Sequence, residues 1–260
     1  MQTDMTVGKP MKMILDFTIP VFIGNVFQQF YNMADAIIVG KFVGTKGLAA
    51  VGSTGTIMFL IIGFLTGLTA GFTVLTSQKF GAGKMDEMRQ SVGNAAILSI
   101  IISMIMTAVS MVGMRALLTL MHTPEDIFND AYTYIMIICG GIFAQVLYNI
   151  LASILRALGN SKTPLYFLIL AALLNVALDL IFIIAFHMGV AGAAWATITA
   201  QGVSGALCLV YIIKCVPELR LKSNDWRLRP EIARKEILVG IPMGLQYSIT
   251  AIGTMMVQSA

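Results

Sequence analysis

The chain reads as an all-α polytopic membrane protein: a six-helix transmembrane lobe followed by the opening of a seventh helix. Three observations predict this. Of its 260 residues 57% are apolar and only 12% charged, and the mean hydropathy is +0.84, against about 25% charged residues in an ordinary soluble domain. Six apolar runs, 14–40, 49–78, 92–120, 128–155, 163–187 and 189–214, each reach the length of about 20 residues that a helix needs to cross a bilayer. Finally, the basic residues fall into alternate loops. The length and helical periodicity of the runs exclude a barrel of short strands.

The alternation fixes an orientation. Fourteen of the 17 Lys and Arg lie at one set of ends and loops: Lys9 and Lys12, then Lys79 to Arg89, then Arg156 and Lys162, and finally Lys214 to Lys235. The opposite set holds only Lys41, Lys46 and Arg115. The positive-inside rule places the N-terminus and the 215–235 loop in the cytoplasm. It also explains the net charge of +4 without a nucleic-acid partner. The polar start, Met1–Lys12, lacks the short apolar core and small-residue cleavage site of a signal peptide. Cys139, Cys208 and Cys215 form no CxxC pair and read as small apolar packers. His122 and His187 stand singly at outer helix ends, so no metal-ligand cluster is formed. Nucleotide-binding and nucleophile motifs are absent, so the chain is not read as an enzyme and no cofactor is expected.

A seventh apolar run starts near Glu236 and is still open at Ala260. It repeats the first: Lys12 leads to Ile19-Pro20, and Arg234 leads to Ile241-Pro242, an offset of 222. Both runs start on the cytoplasmic side, so the repeat is parallel, about an axis along the membrane normal. The expected whole is a twelve-helix, parallel-repeat transporter truncated here in helix 7. Its parts are a lobe over 1–214, an inter-lobe loop over 215–235, and the start of the second lobe over 236–260. The missing C-terminal lobe is then an obligatory partner. Pro20 and Pro242 lie inside their helices, where proline removes a backbone hydrogen bond and kinks the axis; Pro20 is read either as a tolerated kink or as a hinge.

Polar side chains recur at helical spacing. The first crossing carries Asn25, Gln28, Asn32 and Asp35; the second Thr66, Thr69, Thr73 and Thr76; the fourth Gln145, Asn149 and Ser153; the fifth Asn175 and Asp179; the sixth Thr197, Gln201 and Ser204. Lipid-facing amides are costly, so Gln28, Asn32, Gln145, Asn149 and Gln201 are expected to line a shared interior that contains water. The threonines have a plainer reading: their hydroxyls bond back to their own helix. Asp35 and Asp179 stand apart. A charge in hydrocarbon costs roughly 2.5–3.5 kcal/mol on insertion scales, so a chain that keeps two needs them paired, hydrated or protonated. Asp35, Asn175, Asp179 and Thr197 together supply either a proton-loading site or an oxygen cage for a hard cation such as Na⁺.

These residues sit in stretches that resemble multidrug and toxic compound extrusion (MATE) transporters: Asn32-Met-Ala-Asp35-Ala-Ile-Ile-Val-Gly40, Gly47-Leu-Ala-Ala-Val-Gly52, the loop Arg156 to Pro164, Asn175-Val-Ala-Leu-Asp179, and Gly189 to Thr197. The resemblance runs the length of the chain. It implies an antiporter of two lobes in the cell (plasma or inner) membrane that exports cationic and amphipathic compounds in exchange for Na⁺ or H⁺. In a DinF-like branch it further implies an ion site at Asp35, Asn175, Asp179 and Thr197, and a bending proline at Pro20. The NorM branch adds an acid in helix 7, whereas Gly244 to Thr250 here holds none. Two other readings are a lipid-linked oligosaccharide flippase of the same wider superfamily and a non-transporting membrane scaffold. Deep acids rather than deep bases argue against the first, and the repeat together with the inward acids against the second.

Overall fold

The computed structural model describes residues 10–258. Lys9 with the rest of 1–9, assigned above to the cytoplasmic side, and residues 259–260 at the end of the seventh run lie outside them. Among the described residues every regular element is helical: α1 (Pro10–Phe42), α2 (Thr45–Gly81), α3 (Met85–Leu120), α4 (Glu125–Gly140), α5 (Ile142–Ala157), α6 (Lys162–Leu180), α7 (Gly189–Cys215) and α8 (Pro230–Gln258). Five of these are long and apolar enough to cross a bilayer, α6 together with the turn after it, and counting the bent pair α4–α5 as one span brings the number to six.

The fourth run, 128–155, is built from two helices. α4 and α5 pass together as one span and meet at Gly140-Gly141 with a bend of 48°. Apolarity carries no information about axis direction; the glycine pair does. A Cβ on Gly141 would lie 2.2 Å from the Ile198 Cγ2 on α7, so the bend seats the α5 start directly on α7. The backbone stays paired through the break, with Gly141 N–H donating to the Ile137 and Ile138 carbonyls and Ala144 N–H to that of Gly141. Gly141→Val overpacks this contact, an error that typically costs about 1–3 kcal/mol. We expect a melting temperature lower by roughly 3–10 °C in detergent; an unchanged melt disproves the tight seat.

Helix ends also shift. α8 begins at Pro230 and not near Glu236, because proline suits the first helical position and Arg234 and Lys235 are accommodated in the first turns. The 215–235 loop contains two short turns of 3₁₀ helix, Pro217–Leu219 and Ser223–Asp225. In the loop between α5 and α6, the Asn160 Oδ1 accepts the Thr163 N–H at 3.0 Å, and the Tyr148 hydroxyl donates to the Pro164 carbonyl at 2.9 Å. His122 and His187 take positive φ, 52° each, a conformation that ends helices.

Three apolar clusters fill the bundle. One joins α2, α3, α5 and α7 at the basic end, through Phe72, Met88, Leu155 and Leu158. A second joins α2, α3, α4 and the start of α5 through Ile57, Met114, Leu118 and Ile135. The third, Ile38, Val39, Tyr134, Ile138, Ile183 and Val190 among its members, packs α1 against α4 and α7. It frames the acids.

Candidate functional site

Asp35 lies six residues before Lys41, about 9 Å along the axis from the basic residue in the last turn of α1. Asp179 is the penultimate residue of α6. Directly after it the chain forms a π-helical turn, Ile181–Ala185, in which Phe186 N–H reaches back five residues to the Ile181 carbonyl. Such turns recur at functional sites, where they re-aim a helix face. Here the turn leads into the close approach of α7, whose Gly192 packs on Phe182.

The helices bring Asp35, Asn175, Asp179 and Thr197 into one buried cluster. Asn175 and Asp179 are fully buried, and Asp35 and Thr197 are nearly so. The Asp35 and Asp179 carboxyls lie within electrostatic reach of each other. The Thr197 hydroxyl is a hub, accepting the Tyr31 hydroxyl at 3.3 Å and the Asn175 Nδ2 at 3.4 Å. Four buried oxygens nearby have no hydrogen-bond partner: Asp35 Oδ1, Asn175 Oδ1 and both carboxylate oxygens of Asp179. Buried acceptors are normally satisfied, and leaving one unmade costs about 1–3 kcal/mol, more for a charged group. Such a cluster of oxygen lone pairs is suited to a proton or a hard cation.

Two tyrosines belong here that the sequence reading passed over. Tyr31, four residues before Asp35 on the same helix face, supplies a hydroxyl to the hub. Tyr134 of α4, 3% exposed, lies within electrostatic reach of Asp35, Tyr31 and Asp179. The available signal was the rule that a tyrosine buried in a membrane helix needs a partner for its hydroxyl.

The remaining polar residues disperse. Gln28 is half-buried, while Asn25 and Asn32 are exposed, and Asn32 donates to its helical neighbour Gln29 at 3.3 Å. On α5, Gln145 is buried and Asn149 donates to the Gln145 carbonyl at 2.9 Å. On α7, Gln201 is half-buried with Oε1 unpartnered. The α2 threonines follow the plain reading: Thr69 and Thr73 donate to the Thr66 and Ala70 carbonyls. Thr76 does not, and bonds to α3 instead.

Fold and pocket define a multi-pass helical membrane protein with an ionisable cluster inside its first six crossings. Residues 20–181 match the MatE family model, and the chain belongs to that family. It is 33% identical over 258 residues, 98% of its length, to a probable multidrug resistance protein, YpnP, of Bacillus subtilis strain 168, and covers 57% of that protein. Among solved structures, an outward-facing multidrug resistance MATE family transporter superposes with a TM-score of 0.88 at 28% identity, over 95% of this chain and 55% of that one. An inward-facing form superposes at 0.82 and 28% identity, over 89% of this chain and 53% of that one. The chain thus spans about half the length of the relatives it matches.

Proposed function

We propose that the chain is the first lobe of a secondary antiporter that exports cationic or amphipathic compounds in exchange for Na⁺ or H⁺. The observation that carries this reading is the group of four unpartnered buried oxygens around Asp35 and Asp179. Neither carboxylate meets an Arg or Lys in an ion pair among the described residues. The charge they would carry is therefore balanced by a small exchangeable cation. Asp35, Asn175, Asp179 and Thr197 hold that ion. Its arrival and departure change the charge inside the lobe, which biases a bistable element such as α1, hinged at Pro20. Gln28, Asn32, Gln145, Asn149 and Gln201 line the path of the exported compound, and a second lobe completes the cavity.

Several facts support this. Relatives carry the name probable multidrug resistance protein, and the deep ionisable groups are acids, which suits cationic cargo. The alternating basic loops support a cell-membrane protein with a cytoplasmic N-terminus.

The test is flux of a cationic dye in proteoliposomes holding the full-length protein, under an imposed Na⁺ or proton gradient. Dye movement that follows one gradient and stops when it is collapsed is the expected result. Dye distribution indifferent to both gradients overturns the reading.

A further inference from the structure

A second buried acid lies far from the ion pocket and has no part in it. Glu236, one and a half turns into α8, is 0% exposed. Its Oε1 accepts the Ser91 hydroxyl of α3 at 2.8 Å, and Ser91 lies 3.0 Å from the Thr76 hydroxyl of α2. Since the single Ser91 proton goes to Glu236, Thr76 donates to Ser91, and the three side chains form a directed chain across three helices. The Glu236 Oε2 is buried and has no partner.

The same end of the bundle has a second tie, independent of α8's interior. The Asn94 side chain of α3 accepts the Arg229 N–H at 2.7 Å and donates to the Arg227 carbonyl at 3.3 Å. The segment that leads into α8 is thereby held on α3, just before Pro230. Beyond Glu236, α8 meets α2 almost backbone to backbone: a Cβ on Gly71 would lie 2.4 Å from the Gly240 Cα, and one on Gly67 2.5 Å from the Met243 carbonyl oxygen. Glycine faces allow close approach without interlocking side chains.

We propose that Thr76, Ser91 and Glu236 form a releasable polar clasp that closes the cytoplasmic side by holding α8 against α2 and α3. This rests on the antiporter reading above. Three physical features make the contact reversible. A hydroxyl–carboxylate bond exchanges readily for water, so its net contribution is small beside its strength in a dry site. The unpartnered Oε2 loses its desolvation penalty once α8 moves away. The glycine seam parts without unthreading side chains, and the Asn94 staple keeps α8 tethered at its first turn while it does so.

The test places spin labels at Gln78 and Leu238, which both line the surface hollow between α2 and α8, and measures their separation in lipid nanodiscs. The unmodified chain gives one short distance. Glu236→Ala and Ser91→Ala are expected to enlarge a longer-distance population at least threefold, and Glu236→Gln, whose amide oxygen still accepts from Ser91, to restore the short one. Ser91→Ala is the milder deletion and covers the case in which Glu236→Ala does not fold. Unchanged distances in a folded alanine variant, or a Gln variant that behaves like Ala, overturn the clasp. The distance measurement uses no ion gradient and no drug. Loss of the clasp result therefore leaves the flux reading standing, and failed flux leaves the distances unaffected.

Discussion

Asp179→Asn and Asp35→Asn, each alone, are expected to abolish ion-driven export by the full-length protein while leaving it folded. Each removes one of the two formal charges that a Na⁺ ion or proton neutralises, and an amide cannot take up and release a proton in this range. We expect gradient-driven dye flux to fall at least tenfold in each variant. Melting temperatures should stay level or rise, because replacing an unpaired buried charge by a neutral isostere removes a desolvation cost. Binding supplies a second readout. A ligand held only by the folded state raises the melting temperature with its concentration, so any stabilisation by added Na⁺ should vanish in both variants. Flux at the original rate, still tied to the gradient in both, refutes the site.

The second large effect is expected at the α2–α8 seam. Gly71→Val sets a branched side chain where the Gly240 Cα and the Val239 carbonyl oxygen lie 2.4 and 3.1 Å from the new Cβ. These are backbone atoms, and no rotamer relieves the clash. The helices must separate by more than an ångström, which breaks the Glu236–Ser91 bond and exposes Phe72. Overpacking of this kind costs about 1–3 kcal/mol or more. Protease cleavage or rapid hydrogen exchange within 230–248 should then appear, with the six-crossing core still protected. Protection of 230–248 equal to that of the unmodified chain contradicts the seam.

Sequence periodicity located the crossings and the polar positions but not their directions. The first-crossing polar series shows why. At about 100° per residue, Gln28 and Asp35 fall within about 20° of each other, and so do Asn25 and Asn32, but the two pairs diverge by several tens of degrees. The structure follows this split: Asp35 and Gln28 turn inward, and Asn25 and Asn32 stay exposed. Helical spacing in steps of three and four alone does not separate the two pairs. Asn175 and Asp179 were legible as neighbours because one turn separates them. That Thr197 reaches Asn175, and Tyr31 reaches Thr197, depends on the approach of α6 and α7 through the π turn, which no local pattern encodes. The clasp was illegible for a similar reason. Glu236 sits among Arg234, Lys235 and the start of an apolar run, so it reads as a solvated helix end, and only the docking of α8 on α3 buries it.

The break at Gly141 bears on how this lobe fits its bilayer. α4 and α5 hold 16 residues each, about 24 Å of helix apiece, and a straight rod of both would stand about 48 Å tall. With one arm upright and the other inclined by 48°, the height falls to about 40 Å, close to the full thickness of a typical bilayer with its headgroups. The elbow therefore takes up hydrophobic mismatch that an unbroken rod would have to relieve by tilting as a whole. Ile198, which packs into the elbow at Gly141, neighbours Thr197 on α7, so the bend and the buried acids share one helix.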